Sequence, residues 1–138
     1  IFQESIVVSG GQNDDGNSLN SVESYNVFGD KWSRMPNMIR HRYGHNLVVV
    51  NNKLFVIGIG YTNCEVFDNV CNKFIALKSP NSHIYLNKAT CIGNKILILQ
   101  NYNTKLICYD VDKDKWSKEQ CEVTKDFNGF SFAKLPWY

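Results

Sequence analysis

A chain of 138 residues with 43% apolar and 20% charged side chains has the make-up of one folded domain, which excludes intrinsic disorder. Fifteen basic against thirteen acidic side chains leave a formal charge of +2, too balanced for the clustered basic face of a nucleic-acid binder. The longest apolar runs, Leu47 to Val50 and Leu54 to Ile59, are split by Asn51, Asn52 and Lys53, so none approaches the ~20 residues of a membrane helix.

Ile1 opens the chain inside a repeating unit, as expected for a piece of a longer protein, and Ile1-Phe2 hints at a strand ahead of Ser5 to Ser9. Gly10-Gly11 ends that strand. The loop Gln12-Asn13-Asp14-Asp15-Gly16-Asn17-Ser18 is all turn chemistry, and it suits either a solvated loop or a ligand-contacting one. Adjacent Asp14 and Asp15 hint at a cation, but the spacing and terminal Glu of an EF-hand loop are missing. Val22 to Val27 alternates, and Phe28 to Lys31 turns the chain into Trp32.

Arg40-His41-Arg42-Tyr43-Gly44-His45 is the densest polar cluster. Its histidines lack a third ligand at a defined spacing, and no nucleophile motif accompanies them. Strands are then predicted at Tyr43 to Val50, Leu54 to Gly58, Asn63 to Phe67 and Lys73 to Leu77, and again at Tyr85 to Ile92, Lys95 to Leu99, Lys105 to Asp110 and about Lys115 to Glu119. Phe127 to Leu135 stands in the register of one more first strand. Five cysteines, an odd number with no Cys-x-x-Cys pair, point to free reduced thiols in a cytosolic protein.

These elements repeat. Tyr25 and Trp32 recur 42 residues on as Phe67 and Phe74, and 42 further on as Tyr109 and Trp116. Only an internal repeat keeps such a register, and four short strands per unit make a sheet that must stack on its neighbours to bury both faces. The expected class is therefore an all-β propeller with about three four-stranded blades. Residues 1–40 would form a blade lacking its first strand, 41–82 a second, 83–124 a third and 125–138 a ring-closing strand. Tyr25, Trp32 and their counterparts are expected to be core.

Residue identities separate two families of this period. WD40 repeats need Trp-Asp, whereas Ser33 and Ser117 follow the repeat tryptophans here. Gly10-Gly11, then Tyr25, then Trp32, and Arg42-Tyr43-Gly44-His45 entering the next strand, resemble the kelch repeat, most of all the C-terminal half of a kelch-like (BTB-kelch) protein. The second unit breaks the glycine pair to Gly58-Ile59 and the third to Gln100-Asn101.

The resemblance implies a protein-recognition module with no catalytic residue, cofactor or metal. In that family the arginine at the position of Arg42 reaches acidic client side chains at the mouth of the channel. The client-binding set it implies is Arg42, Tyr43, Tyr61, Tyr102, Asn13, Asp14 and Asp15. As an adaptor the protein would join clients to cullin-3 through BTB and BACK domains ahead of Ile1. The alternatives are actin binding in the cytoskeleton and, from another class, a kelch-scaffold oxidase, whose copper ligands His41, His45 and His83 do not reproduce. A cytoplasmic location follows from the adaptor role.

Overall fold

The computed structural model describes residues 2–58, 64–78, 80, 88–99 and 105–120. Among the described residues eleven strands form three antiparallel sheets. β1 (Ser5–Ser9), β2 (Val22–Asn26) and β3 (Lys31–Met35) make the first. β4 (Asn46–Val50), β5 (Lys53–Ile57), β6 (Glu65–Asp68) and β7 (Lys73–Ala76) make the second, and β8 (Lys88–Ile92), β9 (Lys95–Leu99), β10 (Lys105–Asp110) and β11 (Lys115–Gln120) the third. In every sheet spatial order follows chain order, the meander of a propeller blade. Phe127 to Leu135 lies outside the described residues.

Short turns at fixed places set the register. Asn51 and Asn52 both adopt positive φ, 49° and 55°, as a two-residue type I′ hairpin turn demands, and they join β4 to β5. Gln3 and Glu4, at 48° and 60°, build the same turn between Phe2 and Ser5, whose backbones exchange hydrogen bonds of 3.0 and 2.9 Å. The strand hinted at by Ile1-Phe2 is thus present as a single bridge at Phe2.

The hairpins from the third to the fourth strand of each blade use a second device. Asn26, Asp68 and Asp110 each turn a side-chain oxygen onto backbone N–H groups two or three residues on, at 2.7 to 3.1 Å. The N–H groups of Cys71 and Val70 hold the Asp68 carboxyl below the usual carboxylate range against a smaller desolvation effect, and at Asp110 desolvation pushes upward but is outweighed by the Lys113 N–H and ammonium charge together. Asp30, Asn72 and Asp114 close the turns at positive φ. The Tyr25 hydroxyl donates to Asp30 and the Tyr109 hydroxyl to Asp114, each at 2.7 Å. The middle unit has Phe67 in place of tyrosine and Asn72 in place of aspartate, so hydroxyl and carboxylate are lost together.

The period places one aromatic pair at the outer side of each blade. Tyr25 lies opposite Trp32, Phe67 opposite Phe74 and Tyr109 opposite Trp116, with ring centroids 5.1, 5.1 and 4.7 Å apart. Trp116 also donates its indole N–H to the Lys78 carbonyl at 2.5 Å, the partner a half-buried indole requires.

Strand alternation decides which residues lie between the sheets. One core joins Val7, Val22 and Met35 of the first sheet to Leu54, Val56, Phe67 and Phe74 of the second. The next joins Val48, Val50, Phe55, Ile57 and Val66 of the second sheet to Ile96, Ile98, Ile107 and Tyr109 of the third. Both faces of the middle sheet are therefore covered.

The opposite face of the first sheet differs from the sequence expectation. Trp32 is 52% exposed, and Ile6 and Val8 beside it are exposed as well, because no described residue packs against that face. Tyr25 is only half-buried.

Position in the stack should therefore decide what a repeat aromatic contributes. Phe74→Ala, between two sheets, is expected to cost about 3 to 5 kcal/mol, while Trp32→Ala, at the same register on the open face, costs far less. Denaturant titrations of the two variants check this, and equal losses would contradict the packing described.

Candidate functional site

The loop after β1 and the segment from β3 to β4 emerge at the same end of the sheets and are stitched together by backbone hydrogen bonds. Gly11 N–H donates to the Arg42 carbonyl at 2.8 Å, Arg42 N–H to the Leu19 carbonyl at 2.8 Å, and Leu19 N–H to the Gly11 carbonyl at 2.9 Å. Met38 N–H donates to the Asn20 carbonyl at 2.9 Å, and the Asn20 side-chain amide returns a bond to the Met38 carbonyl at 3.0 Å. Gly10 makes this approach possible. At φ 59° a side chain there would collide with the Arg42 carbonyl and the His45 ring. In the second unit Gly58, at φ 101°, keeps the first glycine of the pair.

Above this base the loop is a small closed turn. Asn13 and Asn17 bond through both backbone and side chain at 3.0 and 2.8 Å, and the Gln12 side chain donates to the Gly16 carbonyl at 2.9 Å. Asn13, Asp14 and Asp15 are exposed at its tip. On the connecting segment Arg40 and His41 are exposed, and Tyr43 is 50% exposed. No cluster of three or more metal-ligating side chains occurs among the described residues.

Arg42 is placed otherwise than the sequence suggests. It is 6% exposed, and its Nη2 pairs with Glu65 Oε1 at 2.5 Å beneath the connecting segment. The expected guanidinium at the client-facing surface is instead held inside the fold, because Glu65, 0% exposed at the start of β6, needs a cation there. The same carboxylate accepts the backbone N–H groups of Ile39 and Arg40 at 2.8 and 3.1 Å. Three donors on one buried acid fix the course of the segment that carries Arg40, His41 and Tyr43.

Sequence reasoning passed over Glu65. The available signal was its register: it stands 42 residues after Glu23, so an acid recurs at one place in the third strand of the blade, flanked in the second unit by Cys64 and Val66. Of the other expected client residues, Tyr61 and Tyr102 lie outside the described residues.

His45 sits next to this pair. Its Nε2 is hydrogen-bonded to Ser9 Oγ at 2.7 Å, while its Nδ1 has no hydrogen-bond partner among the described residues. Burial lowers its pKa, the neighbouring Arg42 charge lowers it further, and Glu65 partly offsets both. Burial likewise pushes the Cys64 thiol up to about 11, against smaller opposing effects of the Gly58 backbone and Arg42. That leaves it protonated and unreactive at neutral pH. A serine beside a histidine resembles a nucleophile with its base. Yet no acid orients the ring among the described residues, and the flanking Gly10 and Gly11 N–H groups already donate to the Ser21 and Arg42 carbonyls.

Stacked antiparallel meanders with a loop and a connector converging at one end define blades of a β-propeller. Comparison with known proteins agrees. A solved structure titled "Structure of YjhT" superposes with a TM-score of 0.74 at 17% identity, covering 91% of this chain and 52% of that one. The model of the Kelch motif family matches residues 1–39. Kelch-like protein 7 of Rattus norvegicus is 27% identical over 116 residues, which is 77% of this chain and 20% of the relative. Kelch-like protein 25 of Xenopus tropicalis is 22% identical over 139 residues, 84% of this chain and 23% of the relative. The chain carries a kelch motif at residues 1–39 and is similar to kelch-like proteins over most of its length, and it spans about a fifth of the length of these curated relatives.

Two outcomes follow from the buried pair and its neighbour. Glu65→Gln or Arg42→Met alone is expected to cost about 3 to 5 kcal/mol, since each strands one buried charge, whereas the double substitution recovers part of that loss. A double-mutant cycle by urea denaturation measures it.

Because the folded pKa of His45 is depressed, the unfolded chain binds the proton first. Stability contributed by the neutral ring is present above about pH 6.5 and is lost as pH falls below it. Melting curves from pH 7.5 to 5 are expected to slope less in His45→Gln than in the parent chain.

Proposed function

We propose that this chain is the client-recognition part of an adaptor for a cullin-3 ubiquitin ligase. Clients would bind at the end of the blades where the loop 12–18 meets the connecting segment 36–45. The observation that carries this is the pairing of a pinned acidic loop tip with an exposed aromatic and basic stretch held from below by Glu65. Rigid support under exposed loop residues lowers the ordering cost of binding, and tyrosine supplies stiff, amphipathic contact area. Tyr43 and Arg40 form the contact centre, with Asp14 and Asp15 giving complementary charge and Asn13 a polar contact at its edge. Arg42 acts from beneath as a positioning residue. Similarity to kelch-like proteins supports an interaction module over an enzyme, as does the absence of an orienting acid at Ser9 and His45 among the described residues. A cytoplasmic location and BTB and BACK domains in the whole protein belong to the same proposal.

Affinity purification with the full-length protein tests it. Tyr43→Ala and the pair Asp14→Lys with Asp15→Lys are expected to lose bound clients at least tenfold while leaving the melting temperature within about 1 °C, as surface substitutions do. Cullin-3 is expected to stay bound in all of them. Clients retained by both variants would sink the site, a full-length protein that never recovers cullin-3 would sink the adaptor role, and sedimentation with actin filaments would favour cytoskeletal binding instead.

A further inference from the structure

Toward the outer rim the second and third sheets part, leaving a cleft of about 370 Å³ between them. Its floor is Phe55 and Val66 of the second sheet and Tyr109 of the third, all buried members of the core between the two. Half-buried Leu77 and exposed Ile75 form one wall. Lys53, first in β5, and Lys78, just beyond β7, are exposed at its lips.

Stacking alone does not require this lining, as the repeat shows. A cleft of about 210 Å³ lies between the first and second sheets at the same place one period earlier. Ser24 and Pro36 line it where Val66 and Lys78, 42 residues on, line the larger one, and Ser5, first in β1, takes the place of Lys53. The first pair of sheets thus packs around a smaller cleft that carries serines and Arg34. An apolar cleft between two lysines is an addition to the fold.

The lysines stand at opposite ends of that cleft. Phe55 and Ile75 both lie opposite Val66, so Lys53 is two residues to one side of their level and Lys78 three to the other. The two are about five residues of strand apart, roughly 17 Å at ~3.3 Å per residue. The Trp116 indole N–H fixes the Lys78 backbone through its carbonyl. Neither lysine makes an ion pair among the described residues. Asp114, the acid in the lining, already accepts the Tyr109 hydroxyl at 2.7 Å.

We propose that this cleft is a second protein-docking site. It takes one large apolar side chain from an extended segment of a partner protein, whose carboxylates two or three residues to either side pair with Lys53 and Lys78. Filling the cleft removes water from Ile75 and Leu77, and the excluded water strengthens the flanking charge pairs. The volume is at the low end of the ~300 to 1,000 Å³ of ligand pockets. Exposed Ile75, Ala76 and both lysines leave it open along the rim, which suits a passing chain and not an enclosed small molecule. None of these residues belongs to the loop 12–18 or the segment 36–45, so the site stands independently of the client site.

Fluorescence anisotropy tests it, with the full-length protein and a labelled nine-residue peptide carrying Phe at the centre, Glu at the second and third places on either side, and Ser elsewhere. Exchanging the peptide's Glu for Lys, or its Phe for Ser, is expected to weaken binding at least tenfold. The double variant Lys53→Glu with Lys78→Glu is expected to lose the acidic peptide by the same factor and to bind the Lys-flanked one instead. Its melting temperature should stay within about 1 °C, since both side chains are exposed. Tyr43→Ala is expected to bind the acidic peptide unchanged. A peptide that fails to bind, binds equally with Glu or Lys flanks, or is kept by the double variant overturns the proposal. So does loss of binding in Tyr43→Ala, which would place the peptide at the client site, or displacement by phenylpropionate alone, which would assign the cleft to a small carboxylate.

Discussion

A single buried carboxylate organises the functional end of this chain. Glu65 has left water completely, and its desolvation is tolerable only because one guanidinium and two backbone amides converge on it. All of those donors belong to the segment from Ile39 to Arg42. The course of that segment, and the exposure of Arg40, His41 and Tyr43 on its outer side, are consequences of satisfying one acid. The loop 12–18 is held in turn, since Arg42 gives and receives backbone bonds at its base.

The cores between sheets follow a simpler rule. Each blade presents one alternating set of side chains backward and the other forward, so the middle sheet is dry on both faces. An aromatic at the repeat position is thus buried by its neighbours rather than by its own blade. Trp32 and Phe74 differ in exposure for that reason, not through any difference in local conformation.

Within that frame the repeats keep partners together more strictly than residues. Tyr25 and Asp30 become Phe67 and Asn72 in the middle unit and return as Tyr109 and Asp114, because a carboxylate in the turn is worth keeping where a hydroxyl can donate to it. The same coupling links Arg42 to Glu65 in structure, and Ile84 to Ile107 in sequence. Substitutions in one unit are therefore best read against the partner in the adjacent strand or connector.

The sequence alone determined the period, the all-β class, most strand positions and the kelch resemblance. These depend on local alternation, turn residues and spacing, which the chain displays without its neighbours. Asn51-Asn52 and Asp114 announce their turns because, after glycine, Asn and Asp take positive φ most readily. What lies inside was decided by tertiary structure. Arg42 was legible as a charged residue at the functional end, but whether it faces a client or Glu65 depends on a strand 23 residues away that linear reasoning did not connect to it. Trp32 reads as core by identity and is half exposed by position. Burial is a property of the stack, and no single repeat encodes what stands next to it.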